Sequence, residues 1–242
     1  STGLRINSAA DDAAGMAMSN TMTAQVKGVN MAVKNANDAI SMIQTADGAS
    51  NEIGDMLQRM RELGVQAVNG TLTDADRTQL DLEYQQLITE IGRVGDNTQW
   101  NGANLLDDSI GASGVVTYQI GDTAQTMTVD FGDLSDDGDL GLTGDITDST
   151  KAAAAILDVD VAIVALNTQR ATYGAAINRL EHTVDNLSNV SMNTQAALSR
   201  IQDADYAAES TALAKTQIIA QASTAMLAQA NQQSNAILAL LK

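Results

Sequence analysis

Apolar and small residues recur at alternating steps of three and four positions along residues 152–201. The series runs for about six heptads, and its polar members are Arg170, Ser191 and Thr194. Its apolar positions are Ile156, Val159, Ile163, Leu166, Tyr173, Ile177, Leu180, Val184, Leu187, Leu198 and Ile201. A period of 3.5 sustained over this length is typical of a helix packed lengthwise on other helices. At 1.5 Å per residue such a helix would be roughly 75 Å long, which predicts an elongated protein.

Two earlier stretches, residues 13–69 and 73–96, show the same spacing. In the first, the stripe consists of Met22, Val26, Val29, Val33, Ala36, Ile40, Ile43, Ala46, Ile53, Leu57, Met60 and Ala67. In the second, it consists of Leu80, Tyr84, Leu87, Ile91 and Val94. Asn69-Gly70 between them is a helix-stop and turn signal. Three helices with the same apolar stripe predict an antiparallel coiled-coil bundle.

Two local sequence signals predict details of the first two helices. Thr73, with Asp76 three residues later, predicts a capping box at the start of the second helix. In the first helix the heptad slips just before Asp47, and Gly48 and Gly54 follow. Because Gly weakens a helix and such a slip changes its winding, we expect a kink or irregular turn near Asp47.

The character of the chain changes after the second helix. Residues 115–120 and 127–131 alternate and are rich in β-prone side chains, with Gly121-Asp122 as a turn signal between them. The predicted fold is mainly α, an elongated antiparallel coiled-coil bundle with a small inserted β element. The segments are 1–100 (N-terminal helices of the bundle), 101–150 (small acidic β-rich outer insert), 151–203 (long helix of the bundle) and 204–242 (C-terminal assembly helix).

Composition supports long helices and excludes several classes of function. The 242-residue chain has no Pro, which would break a helix, and no Cys, so disulfides and Cys-ligated metals are excluded. The net charge of −17 argues against nucleic-acid binding, which needs a basic surface. No apolar run is long enough to predict a membrane span, and no signal peptide is present at the start of the sequence.

The acidic insert contains a candidate calcium loop. Residues 133–138 (Asp-Leu-Ser-Asp-Asp-Gly) fit the first six positions of such a loop. The ligands would be Asp133, Ser135, Asp137 and Asp139. The twelfth position is Gly144 rather than Glu, so the bidentate ligand is missing. A solvated acidic loop that aids solubility is the alternative, and no cofactor is required in either case.

Catalytic chemistry finds little support in the sequence. His182 is the only His, and no zinc-protease motif or phosphate-binding loop accompanies it. We interpret His182 as an exposed residue on the long helix, and we predict a protein that is not an enzyme.

The C-terminal stretch 216–241 carries no charged residue. An amphipathic helix with Ala, Gln and Asn on its outer face can pack against copies of itself without removing charge from water. This predicts a helix that assembles with other copies, and the alternative is a helix that folds back on the bundle.

Several long motifs, in the same order, resemble those of bacterial flagellin. In the N-terminal half they are residues 3–8 (Gly-Leu-Arg-Ile-Asn-Ser), 11–15 (Asp-Asp-Ala-Ala-Gly), 35–38, 57–63 and 97–102 (Asn-Thr-Gln-Trp-Asn-Gly). In the C-terminal half they are residues 200–206 (Arg-Ile-Gln-Asp-Ala-Asp-Tyr), 228–232 and 240–242. The resemblance covers about residues 1–106 and 151–242. Members of the family have several more helical turns before the position of Ser1, so the resemblance implies an N-terminally truncated sequence.

The resemblance implies an extracellular, self-assembling subunit of the flagellar filament that serves motility. It would be exported through the flagellar secretion channel without a cleaved signal peptide, with an export chaperone and the filament cap as further partners. Candidate assembly residues lie at both chain ends: Arg5, Asn7, Asp11, Asp12, Gln229, Asn231, Leu240 and Leu241.

A recognition surface for a vertebrate innate immune receptor is also implied by the resemblance. The matching positions are Arg59, Leu63 and Glu83. Gly64 stands where the family usually has Ala or Ser, which would loosen the helix locally.

Two alternatives stay open at this point. The chain could be a cell-surface homologue that binds a polysaccharide through the β element, or a hook–filament junction protein. The short insert and the absence of Pro from residues 232–235 (Gln-Gln-Ser-Asn) depart from the common family pattern.

Overall fold

The computed structural model describes residues 3–135 and 138–240, and it describes side chains up to residue 230. The described helices are α1 (Ala13–Val68), α2 (Asp74–Asn97), α3 (Ser149–Gln202) and α4 (Tyr206–Leu240). The described strands are β1 (Gln99–Trp100), β2 (Ala103–Asn104), β3 (Val115–Gln119) and β4 (Thr126–Asp130). The predicted fold class, mainly helical with a small β element, is confirmed.

The chain divides into two compact units, which are described separately. The bundle unit is Gln25–Met192, and the terminal unit is Ser1–Ala24 together with Asn193–Lys242. This division is based on contacts between residues. The four segments given in the sequence analysis are based on changes in composition and periodicity along the chain, and they stay a prediction.

In the bundle unit, α1 and α3 run antiparallel. Polar pairs link them in opposite order along the two helices: Asn30 with Ser191, Asp47 with Arg170, and Arg61 with Asp160. The distances are 2.8 Å for the first pair, 2.9 Å for the second and 2.7 Å for the third. The antiparallel packing predicted from the shared apolar stripe is therefore present.

The α3 stripe is buried to two different depths. One heptad set is buried: Val159, Leu166, Tyr173, Leu180 and Leu187. The alternate set is only half-buried: Ile156, Ile163, Ile177 and Val184. The sequence analysis missed four buried alanines on this helix: Ala152, Ala155, Ala162 and Ala176. Small side chains of this kind let helices approach closely, and α1 contributes Ala32 and Ala39 in the same way.

Helix α1 continues without interruption through residues 47–54, so the irregular turn expected near Asp47 is wrong. Tertiary packing overrides the weak helix propensity of glycine here. Ser50 and Ile53 are buried, and Asp47 pairs with Arg170 of α3. The Cβ position of Gly54 lies 3.4 Å from Leu166 Cδ2, so α3 packs directly over this turn of α1.

Helix α2 begins at the capping box predicted from Thr73 and Asp76. The Asp76 carboxylate accepts hydrogen bonds from the Thr73 amide at 3.0 Å and the Thr73 hydroxyl at 2.7 Å, and the Asp76 amide donates to the hydroxyl at 3.3 Å. Arg77 on the next position is buried, which the sequence did not predict. Its guanidinium donates to the carbonyl oxygens of Ala67 at 2.8 Å and Asn69 at 3.1 Å, so it caps the last turn of α1.

The β element consists of two antiparallel hairpins. In the first, Asn101 and Gly102 have φ angles of 49° and 82° and connect β1 to β2. In the second, β3 pairs with β4 from Val115↔Asp130 to Gln119↔Thr126. Phe131, which follows β4, is fully buried in the same core as the helices, and the hydroxyl of Tyr173 donates to its carbonyl at 2.5 Å. The insert is therefore packed into the bundle unit through α3.

Candidate assembly surfaces

In the terminal unit, α4 has no buried side chain between residues 206 and 230. The large apolar side chains within residues 206–230 are exposed: Tyr206, Leu213, Ile218, Ile219, Met226 and Leu227. The exposed fraction of Met226 reaches 69%. Exposed apolar surface on this scale indicates a contact with another molecule.

The joint before α4 is shorter than the sequence suggested. The polar character of residues 202–210 predicts a joint there, with the last helix starting at Thr211. In the structure α4 begins at Tyr206, and only Asp203, Ala204 and Asp205 separate it from α3. The Asp205 carboxylate accepts hydrogen bonds from the amides of Ala207 at 3.0 Å and Ala208 at 3.3 Å. Because an Asp at this position satisfies free N–H groups, it starts the helix five positions before Thr211.

The lead-in, which is polar and is described from residue 3 to residue 12, organises the start of α1. The Asp12 carboxylate accepts from the amides of Ala14 at 3.1 Å and Gly15 at 2.9 Å. The Asp11 carboxylate accepts from the Ser8 amide at 2.8 Å and the Asn7 amide at 3.1 Å. These hydrogen bonds, that of the Ser8 amide foremost, lower the pKa of Asp11 below its ordinary value. Asp11 and Asp12, and Asn7 through its amide, thus shape the backbone at this end.

The remaining candidate assembly residues lie in different parts of the terminal unit, and only some of them are described. Arg5 lies on the lead-in, which forms an antiparallel bridge between Leu4 and Asp203 at the joint. Gln229 is exposed on α4. The side chains of Asn231 and Leu240, and the whole of Leu241, lie outside the described residues.

The bundle unit carries a groove that the sequence analysis missed. The groove has a volume of about 490 Å³ and is lined by five residues of α1: Gln58, Arg61, Glu62, Val65 and Gln66. The salt bridge from Arg61 to Asp160 connects this part of α1 to α3. On α3, three large apolar residues stay exposed: Leu157, Val161 and Val164. These three residues are spaced four and three positions apart and lie outside the main apolar stripe of α3. This spacing is the sequence signal that could have predicted a second apolar face.

The three residues proposed as a receptor surface have different environments. Arg59 Nε donates to Glu83 Oε1 at 2.8 Å, and Arg59 Nη1 to Glu62 Oε2 at 3.0 Å. The hydrogen bond with Glu83 is the main cause that raises the pKa of Arg59. Leu63 is only 1% exposed and belongs to the core. Arg59 and Glu83 are therefore available at the surface, whereas Leu63 is not.

The proposed calcium ligands are partly described. Asp133 Oδ1 accepts from the Ser135 amide at 3.0 Å and the Ser135 hydroxyl at 2.5 Å, which forms a local turn. Asp137 lies outside the described residues. Among the residues that are described, no group of three acidic or His side chains is arranged to hold a metal ion. Calcium binding by Asp133, Ser135, Asp137 and Asp139 stays a prediction.

A concentration of carboxylates surrounds Asp108 at the same end of the insert. Partial removal from water, followed by the charges of Asp133, Asp139, Asp130 and Asp107, raises the pKa of Asp108. His182, the one histidine, is exposed on α3.

No helix in the described part of the chain is both long enough and apolar enough to cross a membrane.

Comparison with known proteins gives a consistent result. A family model described as the bacterial flagellin N-terminal helical region matches residues 1–110, and one described as the bacterial flagellin C-terminal helical region matches residues 156–241. A flagellin of Halalkalibacterium halodurans is 48% identical over 245 residues, which cover 100% of this chain and 89% of the relative. Flagellin FlaB2 of Treponema pallidum is 41% identical over 257 residues, which cover 100% of this chain and 90% of the relative. The crystal structure of Bacillus cereus flagellin has a TM-score of 0.57 and 36% identity, covering 68% of this chain and 94% of that one.

Proposed function

The chain belongs to the bacterial flagellin family, and on this basis we propose that it is a structural subunit that self-assembles into the extracellular filament of the flagellum. The observation that carries the mechanism is the exposure of every described side chain of α4 from residue 206 to residue 230. A helix with this much unburied apolar surface gains free energy when copies pack together, by about 25 cal/mol for each Å² of apolar surface removed from water.

The charge pattern of α4 suits burial between copies. Lys215 is the last charged residue before residues 216–241, and every residue of that stretch is uncharged. Burying an unpaired charge would cost several kcal/mol, whereas the Gln, Asn, Ser and Thr of this stretch can hydrogen-bond to one another. We infer a head-to-tail, open-ended arrangement, because packing of α4 against successive copies without closure of a ring produces a filament.

A polymerisation assay tests this function. The natural protein that contains residues 1–242 would be added to short filament seeds, and growth would be followed by light scattering and electron microscopy. Ile219→Asp places a charge on the exposed apolar surface of α4 and should abolish growth, while Gln221→Asn changes an exposed polar position without adding a charge and serves as the control.

Both variants should keep the circular dichroism spectrum and melting temperature of the parent, since neither side chain is buried. Growth of Ile219→Asp at the parental rate would exclude α4 as the assembly helix. Failure of the parent to form filaments would reject the proposed function itself.

The alternatives are less well supported. The family models and the relatives favour the filament subunit over a polysaccharide-binding homologue and over a hook–filament junction protein. The absence of enzymatic activity agrees with a structural family, and it stays part of the proposal. A glycan array with and without Ca²⁺ tests for a polysaccharide partner directly.

Partners other than the chain itself are proposals that rest on the family. They are an export chaperone, the filament cap and an innate immune receptor, and secretion would occur without a cleaved signal peptide. For the receptor, the half-exposed pair of Arg59 and Glu83 supports a contact on the surface of the bundle unit. A reporter assay with Arg59→Met and Glu83→Gln, and with Glu90→Gln as control, should show loss of response for the first two variants alone.

A further inference from the structure

In the described part of the chain, strand β4 has one backbone edge without a strand beside it. It pairs with β3 regularly over five residue pairs, and directly after it the amide of Phe131 donates to the carbonyl of Gly114 at 3.0 Å. In an antiparallel ladder, every second residue directs its N–H and C=O groups to the partner strand, and the residues between them direct these groups away from it. Thr126, Thr128 and Asp130 therefore direct their backbone groups away from β3, and we call these three residues the outer edge.

The outer edge has few hydrogen-bond partners of its own. Gln169 of α3 donates through Nε2 to the carbonyl of Asp130 at 2.7 Å. Within the described residues, the amide and the carbonyl of Thr128 have no such partner. Thr126 and Thr128 are both exposed. The contact with Gln169 thus shows that the edge accepts a donor that approaches from the side of α3.

A groove of about 290 Å³ lies between the outer edge and α3. Residues 127–130 line it on the side of β4, and the α3 residues that line it are Gln169, Thr172, Ala175, Ala176 and Arg179. Adjacent strands of a sheet lie about 4.8 Å apart, so a third strand beside β4 would run along this groove. The two alanines leave space for its backbone, since their side chains are single methyl groups.

The devices that usually block an exposed edge are missing from β4. Its sequence, Thr-Met-Thr-Val-Asp, contains no Pro and no Lys, and its register with β3 contains no bulge. Proteins use such residues or bulges to prevent a sheet edge from pairing with other chains. An edge that lacks them is suited to strand addition, in which an extended peptide supplies the missing backbone hydrogen bonds.

Negative charge is concentrated at one end of the outer edge. A Cβ at Gly114 would lie 2.5 Å from Asp108 Oδ1 and 3.6 Å from Asp130 Oδ1, so these two carboxylates flank the same point of the backbone. The charges of Asp133 and Asp139 also act on Asp108. A Lys or Arg in a docked segment would relieve this repulsion, which favours a basic partner.

A second copy of the chain fits this edge less well. Two identical edges pair about a two-fold axis, whereas copies in the proposed head-to-tail filament are not related by such an axis. Pairing of this kind would also bring two Asp130 carboxylates into one sheet, in a protein with a net charge of −17. A different, basic molecule therefore fits the edge better.

We propose that the outer edge of β4 binds an extended basic segment of a partner protein. The segment adds as a third strand, exchanges backbone hydrogen bonds with Thr126 and Thr128, and places a Lys or Arg side chain beside Asp130. The side chains on its other face pack on Ala175 and Ala176, so they are small or β-branched. This site goes beyond the proposed filament function, and monomeric protein is used to test it, so that either one can fail without the other.

The probe is the fluorescently labelled peptide acetyl-Lys-Val-Thr-Val-Thr-Val-Lys-amide. Its Thr and Lys side chains share one face and its Val side chains the other, and a Lys at each end places a cation near Asp130 in either strand direction. Fluorescence anisotropy with the monomeric, full natural protein measures the affinity. A peptide with Glu in place of both Lys should bind more weakly by about tenfold or more, because it meets the acidic end with like charge.

Backbone pairing is tested with two N-methylated forms of this peptide. Methyl groups on the two Thr amides block one edge of the peptide, and methyl groups on two of the Val amides block the other. Only the edge that faces β4 needs its N–H groups. One form should therefore bind like the parent peptide, and the other should bind more weakly by about tenfold. Equal affinity of the two forms would contradict strand addition.

Two pairs of protein variants locate the site. Thr128→Pro removes only an outward amide of β4 and should weaken binding by about tenfold, whereas Thr128→Val keeps the amide and should bind normally. Asp130→Asn removes the charge beside the docked Lys and should also weaken binding by about tenfold. Asp55→Asn removes an exposed charge from α1, outside the groove, and should have no effect. Melting temperatures show whether each variant folds.

Hydrogen exchange measured by nuclear magnetic resonance identifies the edge that pairs. With the Lys peptide in excess, exchange of the Thr128 amide should slow by about tenfold. Slower exchange of this amide at higher protein concentration without peptide would show that a second copy occupies the edge, which would overturn the proposal. Failure of the Lys peptide to bind, equal binding of the Lys and Glu peptides, or normal binding by folded Thr128→Pro would overturn it as well.

Discussion

Arg170 and Asp47 form a salt bridge across the contact between α3 and α1, with Nε 2.9 Å from Oδ1, although 123 residues separate them in the chain. In the heptad series Arg170 occupies a position otherwise held by apolar residues. The ion pair replaces an apolar contact at that level and links the two helices there.

We expect a coupling free energy of about 0.5–1 kcal/mol between these two residues, because both side chains are partly solvated and salt screens them. A double-mutant cycle of Asp47→Asn and Arg170→Met, read from urea unfolding, measures it. Asp38→Asn, an exposed aspartate of α1 without a salt bridge in the described structure, is the control. A coupling that stays the same in 1 M NaCl would contradict the electrostatic explanation.

Arg77→Met should destabilise the bundle unit by about 2–3 kcal/mol, since it leaves the carbonyls of buried Ala67 and of Asn69 without their charged donor. Arg77→Lys should recover only part of the loss, because one ammonium cannot reproduce the fork that spans Ala67 and Asn69. The comparison is Arg93→Met, which breaks an exposed pair with Glu90 and should cost less than about 1 kcal/mol. Equal losses in urea unfolding for Arg77→Met and Arg93→Met would refute the capping role.

Leu63→Ala should cost about 2–5 kcal/mol, because Leu63 is buried and its truncation leaves a cavity. Arg59→Met and Glu83→Gln should each change stability by less than about 1 kcal/mol, as expected for exposed ion pairs. Thermal unfolding measures all three. If Leu63→Ala melts at the parental temperature, Leu63 is not part of the core in solution.

Stability should fall at alkaline pH through the buried tyrosines. Burial raises the pKa of Tyr84 to about 12, and burial also raises the pKa values of Tyr118 and Tyr173. A raised pKa means that the folded protein favours the protonated phenol. Its contribution to the free energy of unfolding is therefore complete below about pH 10 and is lost as the pH rises toward the folded-state values.

Tyrosinate absorbance and far-ultraviolet circular dichroism, recorded together from pH 8 to 13, test this linkage. The spectral change of the buried tyrosines should coincide with loss of helix. Tyr84→Phe removes one titrating group and should make the pH dependence of unfolding less steep. Ionisation of these tyrosines at an ordinary pKa while the helices persist would show that they are accessible to water.

Calcium binding at the insert is tested by isothermal titration calorimetry. The calcium hypothesis expects heat on addition of Ca²⁺ to the parent and its loss in the double variant Asp133→Asn and Asp137→Asn. Asp122→Asn, which lies outside the proposed ligand set, should retain the heat of the parent. Equal heats for the parent and the double variant would show that the loop binds no calcium at these residues.

The sequence by itself determined the helical class, the antiparallel bundle, the capping box at Thr73 and the family. These properties are local or periodic. A stripe such as Val159, Leu166 and Tyr173 must lie on one helical face wherever the helix packs, and a cap needs only residues three positions apart. The absence of charge from residues 216–241 is likewise visible in the sequence, and the proposed burial between copies accounts for it.

Only the tertiary structure decided which contacts join distant parts of the chain. It showed that one of the two heptad sets of α3 is deeper, and that Arg77 is buried as the cap of a different helix. It also showed that Arg5 closes on Ile201 and Gln202 across nearly the whole chain. None of these can be derived from spacing, because helical periodicity specifies a face but not its partner. The same limit explains α1 near Asp47, where packing against Leu166 and Arg170 outweighs the weak propensity of two glycines.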